Sequence, residues 1–357
     1  MRILITGIAG FLGSHLAFYL KKHSSKFPIV GIDNLSRKGS ETNVDRLKKA
    51  GIKFHFGDLR NPADVNKLPA CDRVLDCAAN PSVLAGTKDL SSWKETIDHN
   101  LIGTIHLLQY CARHRAGLIL MSSSRVYSIR GLNDLPLFET KKRFFLNLHA
   151  KKAPLGYSMR GIRESFSTEG PISLYGATKL ASEILAVECA AHYDFPLYIN
   201  RSGVIAGPGQ FGKIDQGILS YWIYSYLFGR PLSYIGYGGK GLQVRDFIHP
   251  DDIGSLIMKQ LARAYSAKRP RIINIGGGLK RSSSLLELSD WCNHRMGFRK
   301  QIKNSGRGRL YDIPYYITDF SLARSEWNWE PQVSMEQILD SVWGYAEKNK
   351  ERILAFF

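Results

Sequence analysis

Apolar and polar positions fall into blocks along the first 200 residues, and the blocks carry two different periods. Short runs rich in Ile, Val, Leu and Phe occur at RILIT (2–6), FPIVGID (27–33), IKFHF (52–56), DRVLDCAA (72–79), GLILMSS (117–123) and FPLYINRS (195–202). Bounded by turn residues, such runs predict buried strands. Helical spacing fills the gaps at 11–23, 41–50, 61–68, 94–114 and 173–193. Alternation of this kind predicts βαβ units, hence a parallel sheet covered on both faces. The expected fold class is α/β: a Rossmann-type, doubly wound parallel sheet followed by a smaller C-terminal α/β lobe.

After residue 202 the regularity breaks. Gly and Pro punctuate GVIAGPGQFGKIDQG and YIGYGGKGLQVRD, then come a helix from 250 to 264, a strand at RIINIGGG and a helix beginning near SSSLLELSDW. The expected division is a nucleotide-binding domain of residues 1–201 with 246–275, and a substrate lobe of 202–245 with 276–357. The lobe would close over the carboxyl edge of the sheet, where open α/β sheets bind ligands. Residues 128–171 carry no clear period. A stretch that long between regular elements is usually functional or disordered, and its Phe, Leu and Tyr content argues against disorder. A loop or lid at the active site is expected there.

TGIAGFLGSHLA follows the first strand and opens the first helix, with Gly7, Gly10 and Gly13 spaced as GxxGxxG. Glycines let the backbone turn tightly and approach a pyrophosphate held at a helix N-terminus. Asp33 ends the next strand, where an acid accepts hydrogen bonds from an adenosine ribose and repels a 2′-phosphate. NAD is therefore expected over NADP, although Arg37 and Lys38 close by are residues that can accommodate the extra phosphate. Asp58, in GDL, is either an acceptor for the adenine amino group or a strand-end turn residue.

The fifth strand ends in SSSRVY, so Ser122, Ser123 and Ser124 stand at its carboxyl tip. The helix SLYGATKLASE places Tyr175 and Lys179 four residues apart, on one face. An isolated YxxxK reads as a surface pair. After a complete nucleotide-binding pattern and a strand-end serine it reads as chemistry: an ammonium and a cationic nicotinamide both favour the phenolate, and a serine hydroxyl can align a substrate oxygen for proton transfer.

Composition narrows the classes. The chain has 357 residues, 44% hydrophobic, enough for a sizeable core, and five scattered cysteines with no CxxC pair. Neither a disulfide framework nor a metal site is expected. MRILITG enters a strand directly, without a signal-peptide layout, and no apolar run spans a bilayer, so a cytoplasmic protein with no membrane partner is expected. The net charge of +18 could attract nucleic acid. However, KKH, RLKK and KKR are short, dispersed and not interleaved with aromatics as a strand-binding groove requires. The charge is read as solvated surface, with no nucleic-acid partner.

The ordered set TGIAGFLGSHL, IDNLSRKG, GDLR, CAAN, NLIGTIHLL, SSSRVY, YGATK and NIGGG resembles the extended short-chain dehydrogenase/reductase superfamily, in particular its NAD-dependent nucleotide-sugar epimerases. DNLSRKG, GKIDQG, QVRDFIHPDD and NIGGG are similar to the group of CDP-paratose 2-epimerases, which form CDP-tyvelose. The resemblance implies a catalytic set of Ser123, Ser124, Tyr175 as base and Lys179 as ribose-binding lysine. It implies an NAD site of Gly7, Gly10, Phe11, Leu12, Gly13, Asp33, Asn34, Ser36, Arg37, Asp58, Leu59, Ala78, Ala79 and Asn100, with Tyr175 and Lys179. It carries substrate contacts to Asn80, Ser82, Arg125, Asp215, Gln216, Gln243, Arg245 and Arg309. The implied reaction oxidises C2 of a CDP-hexose transiently to a keto sugar and returns hydride to the opposite face. Inversion at C4 of a UDP- or GDP-sugar, and net dehydrogenation of a sugar nucleotide, are the alternatives. Dehydratases of the superfamily carry an Asp-Glu pair where this chain has Ser124 and Arg125, which disfavours that reaction. Val204 and Ala206 replace an expected Asn and Tyr, and Pro314 replaces an expected arginine, so pyrophosphate charge is expected to fall mainly on Arg245 and Arg309, or on a residue of the long 128–171 segment. The family also suggests a homodimer through the helices at 94–114 and 173–193.

Overall fold

In the computed structural model, residues 88, 151–153, 214–215, 265, 267–268 and 307 lie outside the described residues, and the rest of the 357 are described. Seven of the apolar runs form strands: β1 (Ile3–Thr6), β2 (Ile29–Asp33), β3 (Lys53–Phe56), β4 (Arg73–Asp76), β5 (Gly117–Ser123), β6 (Leu197–Ser202) and β7 (Ile272–Ile275). They pair in the order β7-β6-β5-β4-β1-β2-β3, every neighbour parallel. Chain order runs outward from β1 in both directions. The carboxyl ends of β1 and β4 therefore flank a crevice at a topological switch point.

Strand alternation divides the core between the two faces. Ile3 and Ile5 of β1 point into a cluster with Leu16 and Leu20 of α1 (Phe11–His23), and with Leu256 and Ile257 of the later helix Pro250–Ala262. Leu4, between them, joins Leu107 and Cys111 of α2 (Gly103–His114) and Ala186 of α3 (Leu174–Tyr193). Burial on both faces explains why these strands read as continuous apolar runs. Pro250–Ala262 is α4 from here on.

The helix expected over 94–114 begins earlier and is not uniform. A helix at Leu90–Ile97 passes into a π-helical stretch, Asp98–Ile102, and then into α2. Propensity does not distinguish a π turn from an α turn, so the sequence pattern runs through it unbroken.

The second lobe holds a mixed four-stranded sheet made of Val204–Ile205, Val244–Ile248, Ser282–Ser284 and Tyr315–Tyr316. Its core gathers Trp222, Tyr224, Tyr226, Leu288, Ile338 and Trp343. The boundary expected between residues 245 and 246 cuts through the strand Val244–Ile248. That strand leads directly into His249, whose side chain caps α4, so a strand and a helix joined by one residue tie the two lobes.

The segment 128–171 is more ordered than a loop. It contains a helix at Ile129–Asn133 and two hairpins, Leu137–Glu139 with Phe144–Leu146 and Tyr157–Ser158 with Gly161–Ile162. Leu132, Leu135, Ile162 and Phe166 share a buried cluster with Tyr127, Tyr315, Tyr316 and Ile317. The segment straps β5 to the C-terminal third: Ile162 N donates to Ile317 O at 2.7 Å, and Asn274 N donates to the Glu164 carboxylate at 2.6 Å.

Candidate active site

The carboxyl ends of β1, β2, β4 and β5 open into a cavity of about 860 Å³ that continues under the second lobe. At its cofactor end the turn after β1 is built from glycine for steric reasons. Gly7 has φ +59°, and a Cβ there would lie 3.0 Å from Ala78 Cα. A Cβ at Gly13 would lie 2.2 Å from the Gly7 carbonyl oxygen, so α1 can start this close to β1 only without a side chain. The cradle such side chains would fill fits a dinucleotide pyrophosphate at the N-terminus of α1. Gly13→Ala is expected to lower the NAD content of the purified protein and its thermal midpoint together; unchanged cofactor content would show that the helix relaxes around the methyl.

The acids behave as positioned groups. Asp33 accepts from Ala9 N at 2.9 Å and Leu35 N at 2.8 Å, which shapes the glycine turn, and burial raises its pKa despite those bonds. Asp58 accepts Asn34 Nδ2 at 2.9 Å and the fork of Arg60, with Nη2 at 2.7 Å. Burial pushes its carboxyl up, but the Arg60 and Asn34 bonds prevail and hold it well below the usual carboxylate range. Of the two readings of Asp58, the turn is present in the structure, and the carboxylate still lines the cavity. Arg37 reaches across to the second lobe, donating to Gln216 Oε1 at 2.6 Å and Phe211 O at 3.3 Å. A guanidinium held in this way serves lobe-to-lobe contact.

At the reacting end, Ser173 caps α3 by accepting from Gly176 N at 3.1 Å, which places Tyr175 in the first turn. Gly176 is required here, because a Cβ would lie 2.2 Å from the Arg125 carbonyl oxygen. That contact seats the start of α3 on the tip of β5, so Tyr175, Ser123 and Ser124 line one cavity wall. Ser123 Oγ accepts from Arg125 N at 3.1 Å. Its hydroxyl proton is thereby left to donate to a ligand. Lys179 is buried one turn below, donating from Nζ to Met121 O at 3.1 Å.

Behind this wall lies a buried polar network that the sequence pattern does not reveal. Ser122 Oγ donates to Glu183, one turn after Lys179, and Glu183 is paired with Arg201 of β6, Nη2 to Oε2 at 2.6 Å. Arg201 stacks over the Tyr127 ring at 5.1 Å, and the Tyr127 hydroxyl donates to Asn274 Oδ1 at 2.6 Å. The network joins β5, α3, β6 and β7 beneath the site.

Every expected cofactor and catalytic residue except Asn100 lines the cavity, as do Arg125, Gln216, Gln243, Arg245 and Arg309. Three expected contacts do not. Asn100, placed on the cofactor, is buried in the π-helical stretch; it accepts from Asn80 N at 2.7 Å and donates to Asn80 O at 3.1 Å and Thr178 Oγ1 at 3.2 Å. It clamps the loop after β4 to α3, and is a positioning residue. Asn80 and Ser82, placed on the substrate, belong to that clamped loop, which lines the cavity through Cys77, Ala78, Ala79, Pro81 and Val83. Asp215 lies outside the described residues. No described residue of 128–171 lines the cavity, so the expected lid is a strap behind the site. Phe211, Tyr221 of the helix Ile218–Leu227 and Lys303 of the short strand Lys303–Ser305 line it without having been foreseen, and Asp312 lines it beside Arg309. Gln243 Nε2 donates to Ile235 O at 2.6 Å, and its buried Oε1 has no hydrogen-bond partner among the described residues. That oxygen is available to a ligand donor.

The sequence profile described as "NAD dependent epimerase/dehydratase family" matches residues 3–276. A CDP-paratose 2-epimerase of Salmonella typhi is 29% identical, over 94% of this chain and 96% of that protein. A UDP-glucuronate 4-epimerase of Thermodesulfobacterium geofontis is 26% identical over 98% and 97%. The crystal structure of UDP-glucuronic acid 4-epimerase from Bacillus cereus, in complex with UDP-glucuronic acid and NAD, superposes with a TM-score of 0.77 at 25% identity, covering 98% of this chain and 99% of that one. With the glycine cradle, the serine tip and the Tyr175–Lys179 face in one cavity, the chain belongs to the NAD dependent epimerase/dehydratase family.

Proposed function

We propose that the chain is a nucleotide-sugar epimerase that inverts C2 of a CDP-hexose. The observation that carries the epimerase reading is one cavity wall bearing Ser123, Tyr175 and Lys179 with Ser124 and Arg125 beside them, a wall with a base and no acid to expel a hydroxyl. NAD, held by the turn at Gly7–Gly13 and by Asp33, supplies a reversible hydride acceptor. Tyr175 takes the proton of the sugar hydroxyl at the carbon being oxidised. Ser123 donates to the same oxygen and fixes its line of approach. Lys179, buried one turn below Tyr175 and held by the Met121 carbonyl, stands on the cofactor side of the same wall. Arg245 and Arg309 hold the pyrophosphate while the sugar turns to present its other face. Inversion at C2 and the cytidine base rest on the motif resemblance and on the 29% identical relative.

The test is incubation with CDP-, UDP-, GDP- and dTDP-sugars in deuterated water, read by NMR. A C2-inverted CDP-sugar without deuterium at carbon is the expected product. Deuterium at the inverted carbon means enolisation and removes the hydride reading; inversion at C4 moves the site of oxidation. Steady net NADH production means a dehydrogenase.

We read the oligomer as a homodimer formed through α2 and α3. Ile105, Leu108, Ala112, Leu185, Cys189 and Tyr193 line an apolar groove on the outer surface of those helices. Among the described residues no helix is long and apolar enough to cross a membrane. A cytoplasmic location and a small-molecule rather than nucleic-acid partner complete the reading.

A further inference from the structure

Arg125 is the one strong charge on the tip of β5, and its surroundings do not neutralise it. Its backbone N donates to the Ser123 hydroxyl and its carbonyl abuts Gly176, so the residue starts at the reacting centre. Its side chain runs to Tyr311, donating from Nη1 to the carbonyl at 3.2 Å. That is the one hydrogen bond its guanidinium makes among the described residues, which leaves most of its five N–H donors for something else. Arg245 faces the same space, donating to Ile313 O at 2.7 Å and lying 3.4 Å from Asp312. Among the described residues no carboxylate lies within ion-pair distance of Arg125, and Asp312 is already engaged by Arg245. Two guanidiniums thus face one cavity, and only that of Arg245 has a carboxylate partner among the described residues. Loss of water and the repulsion of Arg245 push the Arg125 pKa down to about 10, which still leaves it charged at neutral pH. Burying an unpaired cation is costly unless a ligand supplies the missing charge.

We propose that Arg125 is a specificity residue that takes an anionic oxygen at the sugar end of the substrate, in a two-arginine clamp completed by Arg245. The proposal rests on the nucleotide-sugar reading of this cavity and adds to it the ligand group met next to the reacting carbon. Two sources offer that chemistry. One is the phosphate nearest the sugar, common to all nucleoside diphosphate sugars. The other is a carboxylate on the sugar ring, present only in uronates.

The experiment is calorimetric titration of the NAD-loaded protein, wild type against R125Q and R125K. The ligands are CMP, CDP, CDP-glucose, UDP-glucose and UDP-glucuronate. If the sugar-proximal phosphate is the partner, R125Q weakens CDP and every sugar nucleotide roughly ten- to hundredfold and leaves CMP unchanged. If a ring carboxylate is the partner, R125Q weakens UDP-glucuronate by that factor and leaves UDP-glucose unchanged. R125K recovers part of the loss in either case, because it restores charge without the planar fork. Binding of all five ligands to R125Q as tightly as to wild type overturns the proposal. NAD content and thermal midpoint are read on each variant; should R125Q not fold, R125K is the deciding variant, and wild-type affinity in R125K for every ligand is the overturning result. No turnover is needed for these readouts. Weakened binding with no epimerisation of any sugar therefore sinks the epimerase reading and leaves the clamp standing, whereas epimerisation with unaltered binding sinks the clamp alone.

Discussion

Tyr175→Phe lowers turnover by roughly a hundred- to ten-thousandfold, the range that a positioned general base contributes, while the purified protein keeps its NAD. The phenol ring stays, so the packing of the first turn of α3 is unchanged, and Ser173 still caps it through Gly176 N at 3.1 Å. What is lost is the oxygen proposed to accept the sugar proton. Lys179 continues to donate to Met121 O at 3.1 Å, so the cofactor side of the wall stays in place. The measurement is single-turnover reduction of bound NAD on mixing with the sugar nucleotide, followed at the NADH absorbance. Wild-type rates in the Phe variant remove Tyr175 as the base.

The second large effect is on stability. Glu183 and Arg201 are 2% and 7% exposed, and breaking such a pair by removing one partner leaves a buried charge uncompensated. Glu183→Ala is expected to cost about 3–5 kcal/mol, read as a fall in the urea midpoint. Arg201 would then face the Tyr127 ring and hydroxyl with no carboxylate, and Ser122 would lose its acceptor. The double variant Glu183→Leu with Arg201→Met removes both charges and should recover much of that loss. A double variant as unstable as Glu183→Ala would mean that the cost comes from lost packing in α3. Because Glu183 lies one turn beyond Lys179 on the same helix, the pair also fixes how α3 sits against β5.

The inner strands β1, β2, β4, β5 and β6 were readable from the chain because burial on both faces writes a nearly continuous apolar run, whereas the exposed edge strand β3 was readable from its short Ile-Phe alternation between turn residues. The glycine turn, the serine tip and the Tyr175–Lys179 spacing were readable because each is a local device, complete within a dozen residues. The failures have the opposite character. Residues 128–171 show no period because their partners, Tyr315 to Ile317, lie far along the chain, and neither segment alone reveals which of its faces is covered. A family motif gives Asn100 a structural, cofactor-side place; that its amide grips Asn80 and Thr178, 20 and 78 residues away in the chain, has no trace in the local pattern. The Arg37–Gln216 bond joins positions 179 residues apart and has no trace in local composition.

The contact between the Arg125 carbonyl and Gly176 separates two kinds of freedom at the site. Position 176 tolerates no side chain, because a methyl would press on backbone 2.2 Å away and shift α3 together with its tyrosine. Position 125 meets Gly176 through its carbonyl, so exchanging its side chain leaves that contact in place. If the proposed clamp holds, exchanging residue 125 changes which sugar is admitted while Gly176 keeps the helix and its tyrosine seated, so the joint between selectivity and chemistry is a single glycine.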